Sequence, residues 1–203
     1  MNRWKRIYHK LFRQKDRIGE YEALLKRALE NGYRVMSLLE WVREDYPSGH
    51  VLLLRHDVDI DSRGAERMFE VERRLGVHAS YYFRHLTMKS SLVKRMLREG
   101  FEVGLHYETL ALKMRYLQLK DKKEISSEIL LSCQQQLAGE IQEFRKSFGS
   151  MTSLCSHGAA WNRKLGVPNH ILVDDTFKKE HDILFEAYDE ALRERITTYI
   201  SDA

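Results

Sequence analysis

The chain has almost no cysteine: Cys133 and Cys155 are the only two in 203 residues, and neither sits in a Cys-x-x-Cys pair. That excludes a disulfide framework and a zinc-finger pattern. No apolar run approaches the roughly 18 residues of a membrane-spanning helix. The charged N-terminus lacks the apolar stretch of a signal peptide. The expectation is a soluble cytoplasmic chain with reduced thiols. A general basic surface is missing too. The formal charge of +4 is local: residues 1–17 carry seven Lys/Arg and one acid, Asp16, which leaves the remainder at −2. A near-neutral body has no nucleic-acid signature.

Read in order, residues 2–17 place Trp4, Ile7, Tyr8, Leu11 and Phe12 at helical spacing among basic side chains. Such a helix packs its apolar stripe on the body or lies on an anionic membrane surface, as peripheral contact with an inner membrane would require. The pattern predicts helices over 20–31, 38–45, 63–75, 90–99, 122–147 and 178–195. Extended segments are predicted at 33–36, 51–57, 79–84, 101–106 and 152–157, with a further strand beginning at Thr197 and a loop over 158–175. Strands alternating with helices predict an α/β fold with a parallel sheet. A closed (β/α) barrel takes about 250 residues. The expectation is therefore an irregular, incomplete (β/α) barrel over 20–203, cut short at its C-terminal end and preceded by a basic amphipathic helix over 1–19.

The organising stretch is Val51-Leu52-Leu53-Leu54-Arg55-His56-Asp57-Val58-Asp59-Ile60-Asp61. An apolar run leading into ionisable residues fits a buried strand. Alternation points Asp57 and Asp59 the same way, and two carboxylates aimed together need a cation or a shared proton. His106, in Gly104-Leu105-His106-Tyr107-Glu108, and His157, in Cys155-Ser156-His157-Gly158, end two further strands. Active sites of parallel α/β folds lie at that end. One Asp and two His from separate strands make a three-ligand catalytic metal site: Asp59, His106 and His157. The bland alternatives are a helix-capping role for Asp57 or Asp59 and hydrogen-bonded core roles for the histidines. Arg55 shares the Asp57 face, where it orients a carboxylate or forms a structural ion pair. His56 faces away and is read as structural. Asp57-x-Asp59-x-Asp61 fails as a calcium loop, since Ser62 stands at its sixth position and Met68 at its twelfth. Cys155 and His157 share a strand face, but nothing else in the sequence supports an activated nucleophile.

Leu54-Arg55-His56-Asp57-Val58-Asp59, Gly104-Leu105-His106-Tyr107-Glu108, Ser156-His157-Gly158 and the lead-in Gly32-Tyr33-Arg34-Val35-Met36-Ser37 resemble the polysaccharide deacetylase superfamily (NodB homology, carbohydrate esterase family 4). The likeness is to its branch from O-antigen and surface-polysaccharide loci, and it covers roughly residues 20–203. The resemblance implies an irregular (β/α) barrel that removes N- or O-acetyl groups from sugars with a divalent metal. It implies that Asp57 is the catalytic base, Asp59 a metal ligand, and His106 the first histidine of a His-x-x-x-His motif. The chain departs from the family pattern at three points. Leu110 replaces the second histidine, Val58 separates aspartates that are commonly adjacent, and Ser156-His157-Gly158 stands where many members have Arg-x-Pro. The family's late histidine has no counterpart in this sequence.

The expected function is thus a metal-dependent hydrolase acting on an amide C–N bond or a carboxylic ester of a carbohydrate. Metal-bound water is the expected nucleophile, zinc the expected ion, and Asp57 the expected general base. Arg55, Tyr107 and Trp161 are the expected substrate contacts, the last two by stacking on a sugar ring. Two rivals remain: a catalytically degraded homologue that binds glycan or a partner, and a glycosyltransferase using Asp57-Val58-Asp59 as its D-x-D.

Overall fold

The computed structural model describes residues 16–200; the helix expected over 2–17 falls almost wholly outside them. The fold is mixed α/β, with parallel strands in two sheets and nine α-helices among the described residues. Helix α1 (Ile18–Glu30) leads to β1 (Arg34–Met36) and α2 (Leu38–Arg43). Ser37 caps α2 and forms a capping box with Glu40. The apolar run then gives two short strands, β2 (Val51–Leu53) and β3 (Arg55–Val58). Leu54 joins them: its N–H donates to Met36 O and its carbonyl accepts from Ser80 N. So β2 pairs with β1, while β3 pairs with β4 (Ser80–Phe83). From there the larger sheet runs through β5 (Glu102–Tyr107) and β6 (Ser153–Ser156) to β7 (Phe185–Glu186), each strand parallel to the last.

The crossovers are helical. Asp61 caps α3 (Ser62–Leu75), and Gly76 ends it in the left-handed conformation at φ 66°. Helix α4 (Ser90–Arg98) connects β4 to β5. Between β5 and β6 lie α5 (Thr109–Tyr116) and the long α6 (Ser127–Phe148), whose Cys133, Leu137, Ile141 and Phe144 recur at helical spacing on its buried face.

Strand parity then sorts the side chains. Val103, Leu105 and Tyr107 join the core between sheet and helices, together with Phe69, Met96 and Leu137. On the other face, Tyr82, Cys155 and Phe185 pack with Leu38 and Trp41. Glu102 lies on this second face, where Tyr82 Oη donates to it at 2.6 Å and Leu39 N at 2.8 Å. Buried carboxylates persist only with such donors. Glu72, on the inner side of α3, is likewise held by Tyr81 Oη at 2.7 Å, by Tyr21 Oη and by His56 Nε2 at 2.7 Å, which gives His56 its structural role.

Gly104 is a packing requirement. A Cβ there would lie 2.8 Å from Ser153 O and 2.9 Å from Tyr82 Cε1. Gly104→Ala is therefore expected to cost about 1–3 kcal/mol or more by overpacking, read as a lowered urea midpoint.

Three sequence expectations are corrected. Residues 158–175 are not all loop, since they contain α7 (Ala160–Leu165) and a 3-10 turn, Asn169–Leu172. The helix expected over 178–195 is interrupted: α8 (Asp175–Glu180), then β7, then α9 (Glu190–Arg193). Thr197–Ile200 forms no strand.

Candidate metal centre

The ends of β3, β5 and β6 bring the expected residues together. Alternation puts Asp57, His106 and Cys155 on the same sheet face, and Asp59 and His157 follow in the next residues of their segments. Asp59 Oδ1 lies 3.4 Å from His106 Nε2 and 3.3 Å from His157 Nε2. The two imidazoles stand edge to face, with centroids 5.1 Å apart. Neither aspartate caps a helix; Asp61 does that.

The donor chemistry fits a divalent cation. Asp59 Oδ1 is buried and has no hydrogen bond. His106 Nδ1 lies 3.0 Å from Cys155 O, which selects the tautomer whose Nε2 lone pair faces Asp59. A lone pair and a carboxylate oxygen facing each other repel unless positive charge lies between them. Ligands at about 2.0–2.1 Å in a tetrahedral array are about 3.3–3.4 Å apart, the spacing seen at Asp59. Burial pushes His157 below its ordinary value, towards the neutral form that a ligand requires. A second group, Asp57, His106 and Cys155, also has donor atoms within 4.8 Å of one another.

Asp57 is gripped on both oxygens. Arg55 Nη2 lies 3.2 Å from Oδ2, and the Cys155 thiol donates to Oδ1 at 3.4 Å. Burial, reinforced by the Asp57 carboxylate, pushes the Cys155 thiol well above its usual value, which removes it as a nucleophile.

The expected substrate contacts fare less well. Arg55 is committed within the protein, donating to Tyr188 Oη at 3.0 Å and Tyr199 Oη at 2.7 Å. Tyr107 is 2% exposed. One residue on from His106, it points by parity to the opposite sheet face, where its hydroxyl approaches Glu186 Oε1 at 3.4 Å. It offers no ring face to a sugar. Trp161 is half-buried, and Lys164 Nζ sits 3.9 Å over its ring, so a cation already occupies one face.

Two features escaped the sequence reading. The first is a cleft of about 330 Å³ beside His157, lined by Ser156, Gly158, Asn162, Asn169, His170 and Tyr188 among others. Its size is near the lower end of ligand sites. It is built by α7 and the 3-10 turn, in the segment read as loop. The second is Glu186 on β7, which accepts from Ser156 N and Tyr188 N at 2.6 Å each and so ties the cleft wall to the sheet. Burial pushes this carboxyl up to about 7. An unfolded glutamate loses its proton near pH 4.3, so between roughly pH 4.5 and 7 the folded chain holds a proton that the unfolded chain does not. Stability is then expected to fall as pH rises through that window, by about 3 kcal/mol in all, and Glu186→Gln is expected to remove this component. Urea midpoints at pH 5 and pH 7.5 for both proteins check it.

No helix of the described residues is long and apolar enough to cross a membrane. Compared with models of known protein families and with curated proteins, the chain matches none of them.

Proposed function

We propose that this chain is a metal-dependent carbohydrate deacetylase on an incomplete (β/α) barrel, with zinc as the natural ion for an Asp/His₂ donor set. The observation that carries the reading is the buried Asp59 oxygen, without a hydrogen bond, facing two imidazole nitrogens, one on β5 and one just past the end of β6. The free, buried thiols accord with a cytoplasmic setting.

Asp59, His106 and His157 would hold the cation. When bound there, it supplies a Lewis acid that acidifies water and polarises an acyl carbonyl. Asp57 is the general base: its carboxylate shares the sheet face with His106, and Arg55 and the Cys155 thiol fix its orientation. The cleft beside His157 receives the sugar, with Asn162, Asn169 and Tyr188 in its wall. The D-x-D transferase reading is weaker, because the two aspartates face different partners: Asp57 faces Arg55 and Cys155, whereas Asp59 faces the histidines.

The test is acetate release from a panel of N- and O-acetylated sugars by the zinc-loaded protein. Turnover that disappears on chelation and returns with zinc supports the reading. A protein that binds zinc in the Asp59 site yet releases no acetate from any panel member points instead to a glycan-binding homologue.

A further inference from the structure

Glu108 follows His106 by two residues. It opens α5 but its side chain does not cap that helix. Instead one oxygen, Oε1, accepts from Arg84 Nη2 at 2.7 Å, and the other, Oε2, lies 3.3 Å from His157 Nδ1. The ion pair is mostly buried, with side chains 21% and 18% exposed. Arg84 also reaches back through Nη1 to Asp59 O at 3.3 Å. One guanidinium therefore ties the Asp59 segment to the carboxylate that faces His157.

His157 Nδ1 is buried and has no hydrogen bond. An ordinary N–H···O contact is about 2.9–3.0 Å, so a small turn of either side chain closes this one. A carboxylate on Nδ1 fixes the tautomer that leaves Nε2 free, sets the ring plane and makes Nε2 a better donor. His106 needs no such partner, because Cys155 O already serves its Nδ1. The two histidines thus have different supports: a backbone carbonyl for one, a side-chain ion pair for the other.

We infer that Glu108, clamped by Arg84, is the positioning residue that orients His157 for metal binding. This rests on the metal-site reading above. Glu108→Gln keeps the shape but removes the charge, and presents an amide to Arg84 or to His157.

Zinc affinity, measured by competition with a chromophoric chelator, is expected to drop about 10–100-fold in Glu108→Gln. The visible bands of the cobalt(II)-loaded protein are expected to shift, and Glu108→Asp to recover part of the loss. Arg84→Gln, which frees Glu108, is expected to weaken zinc in the same direction and serves as a second test should Glu108→Gln fold poorly. Wild-type affinity and an unchanged cobalt spectrum in folded Glu108→Gln or Arg84→Gln would overturn the inference alone. A wild-type protein that binds neither metal would overturn both the inference and the metal-site reading beneath it.

Discussion

Asp59→Ala is expected to lose zinc by more than about 100-fold, beyond the 10–100-fold typical of outer-shell partners, while the metal-free protein melts within a few degrees of wild type. The side chain of Asp59 is 44% exposed, its Oδ1 makes no hydrogen bond, and the neighbouring helix is capped by Asp61 instead. Little of the fold depends on its carboxylate, yet two imidazoles converge on it. A ligand that binds only the folded state stabilises it by about 2.7 kcal/mol at 100 times its dissociation constant. Zinc is therefore expected to raise the wild-type melting temperature clearly and to leave that of Asp59→Ala unmoved. A thermal-shift titration reads both quantities.

Asp57→Asn is expected to do the reverse. It should retain zinc within a few-fold of wild type and lose about 10²–10⁴ in turnover, the usual weight of a positioned general base. The amide oxygen can still accept from Arg55 while the NH2 faces the Cys155 sulfur, so the side chain stays near its place while losing the capacity to take a proton. The pair of variants also separates the two donor groups at the strand ends. Were the ion held by Asp57, His106 and Cys155, Asp57→Asn would lose zinc and Asp59→Ala would keep it. Metal content after dialysis and steady-state acetate release, measured on both variants, decide this.

Much of the architecture was legible in the sequence because its signals are local. Ser37 with Glu40, Asp61 before α3 and Gly76 after it each announce a helix end by side-chain or backbone chemistry. The alternation of apolar runs and helices marked the parallel sheet up to β6. Past Ser156 the signals fail. Strand β7 is two residues long and needs Ser153 and Leu154 as partners, information no window of the chain contains. Helix α7 and the turn at Asn169 are held by side-chain bonds from Asn162 and Asn169 to backbone carbonyls, at 2.7 Å to Val167 O and 2.6 Å to His157 O. Such bonds leave no periodic trace.

The candidate site divides in the same way. Asp59, His106 and His157 could be chosen because each ends a strand. Tyr107 was misread although the rule that placed His106 also turns its neighbour to the opposite face. Glu108 obeys that rule on the His106 side, but its meaning depends on Arg84, 24 residues earlier and one strand away. Trp161 was chosen as an aromatic near a strand end. Its cover, Lys164, lies three residues on, and that proximity becomes visible only once α7 is known to be a helix.

The central claim is that Asp59, His106 and His157 together hold one divalent ion. X-ray absorption at the zinc edge of the protein loaded with one equivalent tests it most directly. Two imidazole nitrogens and further oxygen neighbours at about 2.0–2.2 Å, with no sulfur, are the expected result. A sulfur shell at about 2.3 Å, or a protein that takes up no zinc, would contradict it.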